Sequence, residues 1–188
     1  GGFTPETSGT SSFEFVIGAG WTVSNDSEAN VIATITSPVV IASGSSEDLE
    51  LRHSYSFEYD IFNTEPDEDG DAYDGGNLSV SINGGAFTIL SEWATGGYTL
   101  DVDGIDGLNS QVGWSSLGTN VVSRGTIEGL SAGDELVFRF SAGWDASAFE
   151  TLPSWTISSF SVGNIPEPSA LLLLGVGAAG LLVRRTRA

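Results

Sequence analysis

The sequence predicts an all-β protein whose body, residues 1–163, is a single β-sandwich of jelly-roll type. Three observations favour this class. The segment Leu49–Ile61 alternates apolar and polar residues, which places one face in a core and the other in water. The pair Asn83-Gly84 lies between two further alternating segments, a strong hairpin signal. The chain contains 25 glycines, and no part of the body has a convincing helical period.

Other segments of the body carry the same signature. Leu136, Phe138 and Phe140 form another inward-facing row. In the final segment the apolar phase slips between Ile157 and Phe160, which predicts a β-bulge. About eight to ten strands in one domain are typical of a β-sandwich. Further strands are predicted at Phe13–Ile17, Asn30–Thr36, Tyr98–Val102, Gly125–Ile127 and Trp155–Val162.

The body is strongly acidic. It holds 24 of the 25 acidic residues and only three of the six basic ones, Arg52, Arg124 and Arg139, for a formal net charge of −21. Such a field repels nucleic acid and anionic lipid, so neither is an expected partner. The absence of cysteine excludes disulfides and thiolate chemistry. A body of this size buries enough apolar surface to fold without them.

Residues 164–188 have a different composition, which predicts a separate C-terminal region. The apolar run Ala170–Val183 follows a Pro-Glu-Pro triplet and precedes an arginine cluster. As a helix this run would be about 21 Å long, which is short for a hydrocarbon core of about 30 Å but sufficient if the bilayer thins. Ser169 is a suitable N-cap. The run therefore predicts a transmembrane helix with its arginines cytoplasmic and the body outside; the alternative is a buried core helix.

This tail resembles the sorting tail of PEP-CTERM proteins, a family of bacterial envelope and secreted proteins. The resemblance rests on the triplet Pro166, Glu167 and Pro168, the apolar run, and the terminal arginines Arg184, Arg185 and Arg187. It implies export, transient retention in the membrane, and processing by an exosortase. The expected location is the cell envelope before processing, and the cell surface or extracellular matrix afterwards.

The body is similar to jelly-roll modules of exported bacterial proteins, including MAM-type domains. The resemblance rests on Leu-x-x-x-Tyr-x-Phe-Glu at Leu51–Glu58, on the segments Tyr73–Leu78 and Ser81–Phe87, and on a terminal Trp-Thr-Ile strand. Those modules usually end in Trp-x-Ile-Asp-Asp, whereas this chain has Ser158 and Ser159. The resemblance implies a fold and does not identify a ligand.

An acidic loop between two predicted strands is a candidate calcium site. Hard cations such as Ca²⁺ bind six to eight oxygen ligands, many of them carboxylates. Counted from Asp67, the spacing fails the EF-hand pattern, because position six is Ala72 where glycine is required and position twelve is Leu78 where glutamate is required. A looser structural Ca²⁺ site and a solvated loop that binds nothing both remain open. The candidate ligands are Glu58, Asp60, Asp67, Asp69, Asp71 and Asp74.

The side chains available for catalysis are few. The body has no cysteine or lysine, and its one histidine, His53, lies on an apolar strand face, which favours a core role. Exposed tryptophans stack on sugar rings, and Trp93, Trp114 and Trp144 lie in loop-like sequence. These three predict a glycan-stacking surface; the alternative is that they pack beneath long loops.

The sequence therefore predicts an exported, non-enzymatic β-sandwich protein that is anchored at the surface or released into the matrix. Its expected partners are an exosortase-type enzyme, the membrane and a neutral polysaccharide, with Ca²⁺ as a structural ion. The second hypothesis is a carbohydrate-binding module. The third is a glycoside hydrolase, which requires a pair of facing carboxylates.

Overall fold

The computed structural model describes residues 2–8, 11–24, 31–58, 73–102, 111–145 and 154–163. All regular secondary structure in these ranges is β-strand, which confirms the all-β class for the body. The thirteen strands are β1 Thr4–Thr7, β2 Glu14–Val16, β3 Gly20–Val23, β4 Val31–Thr36, β5 Val40–Ile41, β6 Ser46–Ser56, β7 Gly75–Ile82, β8 Thr88–Ile89, β9 Leu100–Val102, β10 Gln111–Gly113, β11 Leu117–Glu128, β12 Glu135–Trp144 and β13 Trp155–Val162.

The strands form two antiparallel sheets that pack face to face. The first has the order β1-β4-β12-β7-β8, with β5 also paired to β12, and the second has the order β11-β6-β13-β3-β2. Strands β9 and β10 form a small separate ladder. The rings of Phe138 and Phe140 in the first sheet meet Phe160 of the second at centroid distances of 4.9 and 5.1 Å. The predicted inward row of β12 therefore forms part of the core.

Local sequence explains the register of two elements. Asn83 and Gly84 have φ angles of 53° and 71°, which is the left-handed pair that a type I′ hairpin turn requires. The Gly85 amide closes this turn on the Ile82 carbonyl at 2.9 Å. The predicted bulge in β13 is also confirmed: Ile157 pairs with His53 and Ser159 with Arg52, so Ser158 is the extra residue.

Several predicted boundaries differ from the structure. The predicted strand Gly125–Ile127 is part of the longer β11, and the predicted strand Tyr98–Val102 begins only at Leu100. The alternating segment Leu49–Ile61 appears as β6, which begins earlier, at Ser46, and ends at Ser56. Its inward residues Leu49, Leu51 and Tyr55 are buried, as the alternation predicts. Residues 59–61 lie outside the described ranges.

The two sheets share one end, which we call the tail pole and define by Ser46, Ile82, Glu135 and Val162. These residues begin β6, end β7, begin β12 and end β13. Antiparallel pairing places Val162 opposite Leu49 near the start of β6, and Ile82 opposite Leu136 near the start of β12. The opposite end is the loop pole, where β6 ends and β7 and β13 begin.

Short connections hold the two sheets together at the tail pole. Residues 42–45 link β5 of the first sheet to β6 of the second. The Leu130 amide donates to the Ser45 carbonyl at 3.0 Å, and the Ala42 amide donates to the Asp134 carbonyl at 2.8 Å. The last described residue, Gly163, donates to the Asp48 carbonyl at 2.9 Å. The chain therefore leaves the sandwich at this pole.

The predicted C-terminal helix lies outside the described residues, as does the whole 164–188 region. In the part of the chain that the structure describes, no helix is long and apolar enough to cross a bilayer.

Candidate functional site

An open cleft of about 740 Å³ lies between the edge strands of the two sheets. Residues 89–94, the end of β8 in the first sheet and the segment after it, form one wall, and residues 125–128 of β11 form the other. The segment after Trp93 pairs with β11: the Ala94 amide donates to the Arg124 carbonyl at 2.7 Å, and the Arg124 amide donates to the Thr95 carbonyl at 3.0 Å. These backbone bonds fix the position of Trp93.

The Trp93 ring is the aromatic surface of this cleft. It packs over Gly125, where an added β-carbon would lie 3.3 Å from Trp93 Cε3. Behind it the ring meets Trp114 at 5.2 Å and Tyr98 at 5.9 Å between centroids. Trp93 is half-buried and lines the cleft together with the polar residues Glu92 and Thr126; the Thr126 hydroxyl donates to the Asp48 carboxylate at 3.1 Å. The cleft therefore combines one rigid aromatic face with hydrogen-bonding groups.

The structure contradicts a surface shared by three tryptophans. Trp114 is 0% exposed and Trp144 is 1% exposed. The Trp114 indole donates to the Gly96 carbonyl at 3.0 Å, and the Trp144 indole donates to the Ser154 hydroxyl at 3.1 Å. Both rings fill the core because their indole N–H groups find acceptors there. Of the three candidates, only Trp93 lines the cleft.

His53 is the centre of a buried hydrogen-bond chain. The Trp155 indole can only donate, and it donates to His53 Nδ1 at 3.0 Å. The proton of His53 is therefore on Nε2, which donates to the Ser123 hydroxyl at 2.9 Å. The Ser123 hydroxyl in turn donates to the Gly96 carbonyl. Every group in this chain has a partner when the imidazole is neutral, and burial lowers the pKa of His53 to about 3.

The sequence did not indicate the partners of His53. Ser123 is 70 residues away and Trp155 is 102 residues away, so no local spacing connects them. Gly96 has a φ of 60° in a turn whose carbonyl accepts the Ser123 hydroxyl and the Trp114 indole. A β-carbon at Gly96 would lie 2.6 Å from the Val122 carbonyl oxygen. Gly96 therefore allows the Trp93 segment to approach β11.

Two of the three arginines of the body form salt bridges with the same carboxylate. Arg52 and Arg124 each contact Glu50 at 2.8 Å on the outer face of the second sheet. The hydrogen bond from Arg124, supported by Arg52, holds the pKa of Glu50 below its usual range. The third cation, Arg139, lies on the first sheet with its guanidinium 4.0 Å from the centre of the Phe87 ring. This is a cation–π contact.

Two of the six predicted calcium ligands, Glu58 and Asp74, lie in the described residues; Asp60, Asp67, Asp69 and Asp71 lie outside them. Asp74 is buried, and its carboxylate accepts the Asp145 amide at 2.9 Å. Burial raises the pKa of Asp74 to about 7, and the Asp145 and Glu58 carboxylates add to the rise. Within the described ranges, no group of three or more acids or histidines is arranged to hold a metal.

Comparison with known proteins identifies the tail. Residues 164–188 match the PEP-CTERM protein-sorting motif. The chain is therefore a β-rich body followed by a PEP-CTERM sorting motif, which implies export through the envelope and sorting by an exosortase. No curated protein sequence matches the chain.

One solved structure similar to the body is an exo-β-1,3-galactanase from Phanerochaete chrysosporium, crystallised with galactose. The identity is 16% and the TM-score is 0.37. The match covers 86% of this chain but spans only 29% of the galactanase chain. At this level the likeness carries no argument about activity or ligand.

We expect His53→Gln to change the pH dependence of stability. Below pH 6.5 the unfolded chain protonates His53, whereas the folded chain resists protonation down to about pH 3. The stability that depends on neutral His53 is therefore present above pH 6.5 and is lost as the pH falls, by up to about 1.4 kcal/mol per pH unit. Urea denaturation at several pH values should show the difference in unfolding free energy between wild type and variant shrinking in acid. Because all other titrating groups are common to both proteins, a constant difference would contradict the buried neutral imidazole.

Proposed function

We propose that this protein is a non-enzymatic component of the cell envelope or extracellular matrix. The tail holds the exported body at the membrane until an exosortase-type enzyme processes it, and the body then remains at the surface or enters the matrix. The observation that carries the proposal is the sorting motif at 164–188, which begins directly after the last strand of the sandwich. The proposal includes that the body has the jelly-roll fold that its sequence resembles.

The hydrogen bonds of the body support a non-enzymatic role. His53, the one histidine of the chain, is held neutral by Trp155 and Ser123 in the core. Glu50 is paired with two arginines. Glu47 accepts the Ser43 amide, and the pKa of its carboxyl is lowered chiefly by this bond. A general acid needs a pKa near the working pH and access to a substrate. These three groups serve the fold instead, and Asp74, whose pKa is raised to about 7, is buried.

We expect the mature protein to lack residues 170–188, with the processing junction at Pro166-Glu167-Pro168. The physical reason is that an apolar run of about 21 Å is a weak permanent span. Intact-mass measurement on protein recovered from the producing cells checks this. A chain with Pro166, Glu167 and Pro168 all replaced by alanine is the matched control and should keep its tail. A mature wild-type mass that still includes Arg184–Arg187 would contradict the proposal.

The second candidate function is neutral-glycan binding in the Trp93 cleft. The support is the cleft itself, because the half-buried Trp93 lines it together with the polar residues Glu92 and Thr126. Sugar rings pack against aromatic faces of this kind while their hydroxyls form hydrogen bonds. The net charge of the body, residues 1–163, is −21, which disfavours anionic polymers and leaves neutral sugars unaffected. Binding in this cleft is compatible with matrix attachment.

We expect Trp93→Ala to abolish retention of the protein in affinity gels that contain a neutral polysaccharide. Trp93→Phe is the matched variant, because it keeps an aromatic face, and it should retain part of the binding. Trp144→Phe controls for stability alone, since Trp144 is buried away from the cleft. Melting temperatures are measured on all three. Loss of stability without any loss of retention in Trp93→Ala would exclude the cleft, and release of reducing sugar by the wild type would overturn the non-enzymatic role.

The predicted structural Ca²⁺ remains a proposal. Its support within the described residues is the buried Asp74, whose charge is disfavoured by burial and by the neighbouring Glu58 and Asp145. A divalent cation beside such a carboxylate would stabilise its charged form. Only Glu58 and Asp74 of the proposed ligands are described. Any further ligands have to come from Asp60, Asp67, Asp69 and Asp71.

We expect millimolar Ca²⁺ to raise the melting temperature of the wild type above pH 7, and to raise that of Asp74→Asn much less. The folded pKa of Asp74 is raised from 3.8 to about 7, so its stabilising protonated form is fully present below pH 3.8 and is lost as the pH rises through 7. In chelator above pH 7, Asp74→Asn should therefore be the more stable protein, by up to a few kcal/mol. Equal shifts with Mg²⁺ and Na⁺ at matched ionic strength would indicate charge screening, and no shift at all would exclude the site.

A further inference from the structure

The end of the last strand, β13, is paired on one side only. Strand β6 pairs with β13 from Trp155 to Val162, whereas β3 pairs only with Trp155–Ile157. Strand β3 begins at Gly20, where an added β-carbon would lie 2.1 Å from the Ile157 carbonyl oxygen. Among the described residues, no strand pairs with Ser159–Val162 on the side away from β6. Strand β13 therefore begins as a central strand of the second sheet and ends as an edge strand.

Few backbone hydrogen bonds hold the last residues of this strand. The Gly163 amide donates to the Asp48 carbonyl at 2.9 Å. Hydrogen-bonded pairs recur at every second residue of an antiparallel ladder, so Ser161 and Glu50, which lie opposite each other, form the preceding pair. Val162 lies between these two pairs, and its backbone groups point away from β6. Residues 161–163 are therefore attached to the sheet through two residue pairs of a single ladder.

Phe160 is the last residue of β13 whose side chain is packed between the two sheets. Its ring meets the rings of Phe138 and Phe140 in the first sheet. After it, Ser161 is exposed and Val162 is half-buried against the edge of the core. Release of residues 161–163 would therefore expose one apolar side chain, while Phe160 keeps the rest of β13 in place. Local opening of this kind requires much less free energy than global unfolding.

The Pro-Glu-Pro triplet follows this strand end closely. Only Asn164 and Ile165 separate Gly163 from Pro166, so the Cα atoms of Gly163 and Pro166 are at most about 11 Å apart. An enzyme that acts on a peptide bond has to enclose that bond, because ligand sites bury most of the surface of their ligands. The folded sandwich and the enzyme therefore compete for the same space. Release of residues 161–163 would lengthen the reach from Phe160, the last packed residue, to Pro166 to about 21 Å.

We propose that the end of β13 is a latch: the processing enzyme acts on the form of the protein in which residues 161–163 have detached from β6. The proposal rests on the processing at the triplet described under the proposed function. When a segment opens and closes faster than an enzyme cleaves it, the rate of cleavage follows the population of the open form. The pairing of residues 161–163 with β6 therefore determines how fast the tail is removed from the folded body.

The absence of cysteine from the chain allows the latch to be locked reversibly. Val162 lies opposite Leu49 in a non-hydrogen-bonded position, where Cα atoms are about 4.5 Å apart, a distance that a disulfide spans. The full chain with Leu49→Cys and Val162→Cys is incubated in membranes of the producing cells, and intact mass follows removal of the tail. The reduced form of the same variant is the matched control. A second variant leaves the core unchanged and carries a flexible Gly-Ser spacer of about ten residues between Gly163 and Asn164.

The oxidised variant is expected to lose its tail at least about tenfold more slowly than the reduced form, and the spacer should restore the rate of the oxidised variant. In the wild-type background the spacer alone should raise the rate several-fold, and this comparison decides if the double variant does not fold. Equal rates with and without the spacer would mean that the enzyme acts on the fully paired body, which overturns the latch while processing itself stands. If the wild type and the spacer variant both keep their tails, the proposed processing fails together with the latch.

Discussion

Trp155 is the side chain on which the packing of this sandwich depends. It lies at the start of the last strand, is fully buried, and contacts rings from both sheets and from the loops. Its ring is 5.6 Å from Trp114, 6.0 Å from Phe140 and 6.0 Å from Phe13 between centroids. Gly76 lacks a side chain where a β-carbon would lie 2.7 Å from the Trp155 ring. The chain has no disulfide, so this aromatic cluster connects the two sheets.

The indole of Trp155 also determines the state of the one histidine. Because Trp155 donates to His53 Nδ1, the imidazole must carry its proton on Nε2 and donate towards Ser123. This chain of hydrogen bonds ends at the Gly96 carbonyl, which also accepts a hydrogen bond from the Trp114 indole. It therefore ties the core of the second sheet to the segment that carries Trp93. Core packing and cleft geometry depend on the same hydrogen bonds.

The local sequence pattern predicted the long strands but did not predict which aromatic residues in loop-like sequence are buried, and the reason is physical. Alternation of period two reports which face of a strand is buried, so the inward rows of β6 and β12 and the bulge at Ser158 were visible in the sequence. Burial of a loop aromatic depends instead on contacts between distant segments. Trp114 and Trp144 stand in sequence that resembles a surface loop, yet each fills a space bounded by strands remote along the chain.

The same limit applies to the candidate site. Trp93 lines a cleft because residues 94–95 pair with β11, about thirty positions further along the chain, and no motif announces that pairing. The sorting tail is the opposite case. A Pro-Glu-Pro triplet, an apolar run and terminal arginines are contiguous, so the family match at 164–188 agrees with what the residues alone indicated. The sequence reveals motifs whose residues are contiguous, but it does not reveal sites whose residues are brought together only by the fold.

The two poles of the sandwich differ in chemistry. At the loop pole the chain leaves the described fold at Glu58 and returns at Tyr73, beside the buried Asp74 and its neighbour Asp145. The intervening loop carries the densest run of acids in the sequence. At the tail pole lies the exit towards the sorting motif, where the Gly163 amide donates to the Asp48 carbonyl. The buried Asp74 is therefore at the end of the sandwich opposite to the exit of the chain. The negative charge of the body favours solubility and cation binding.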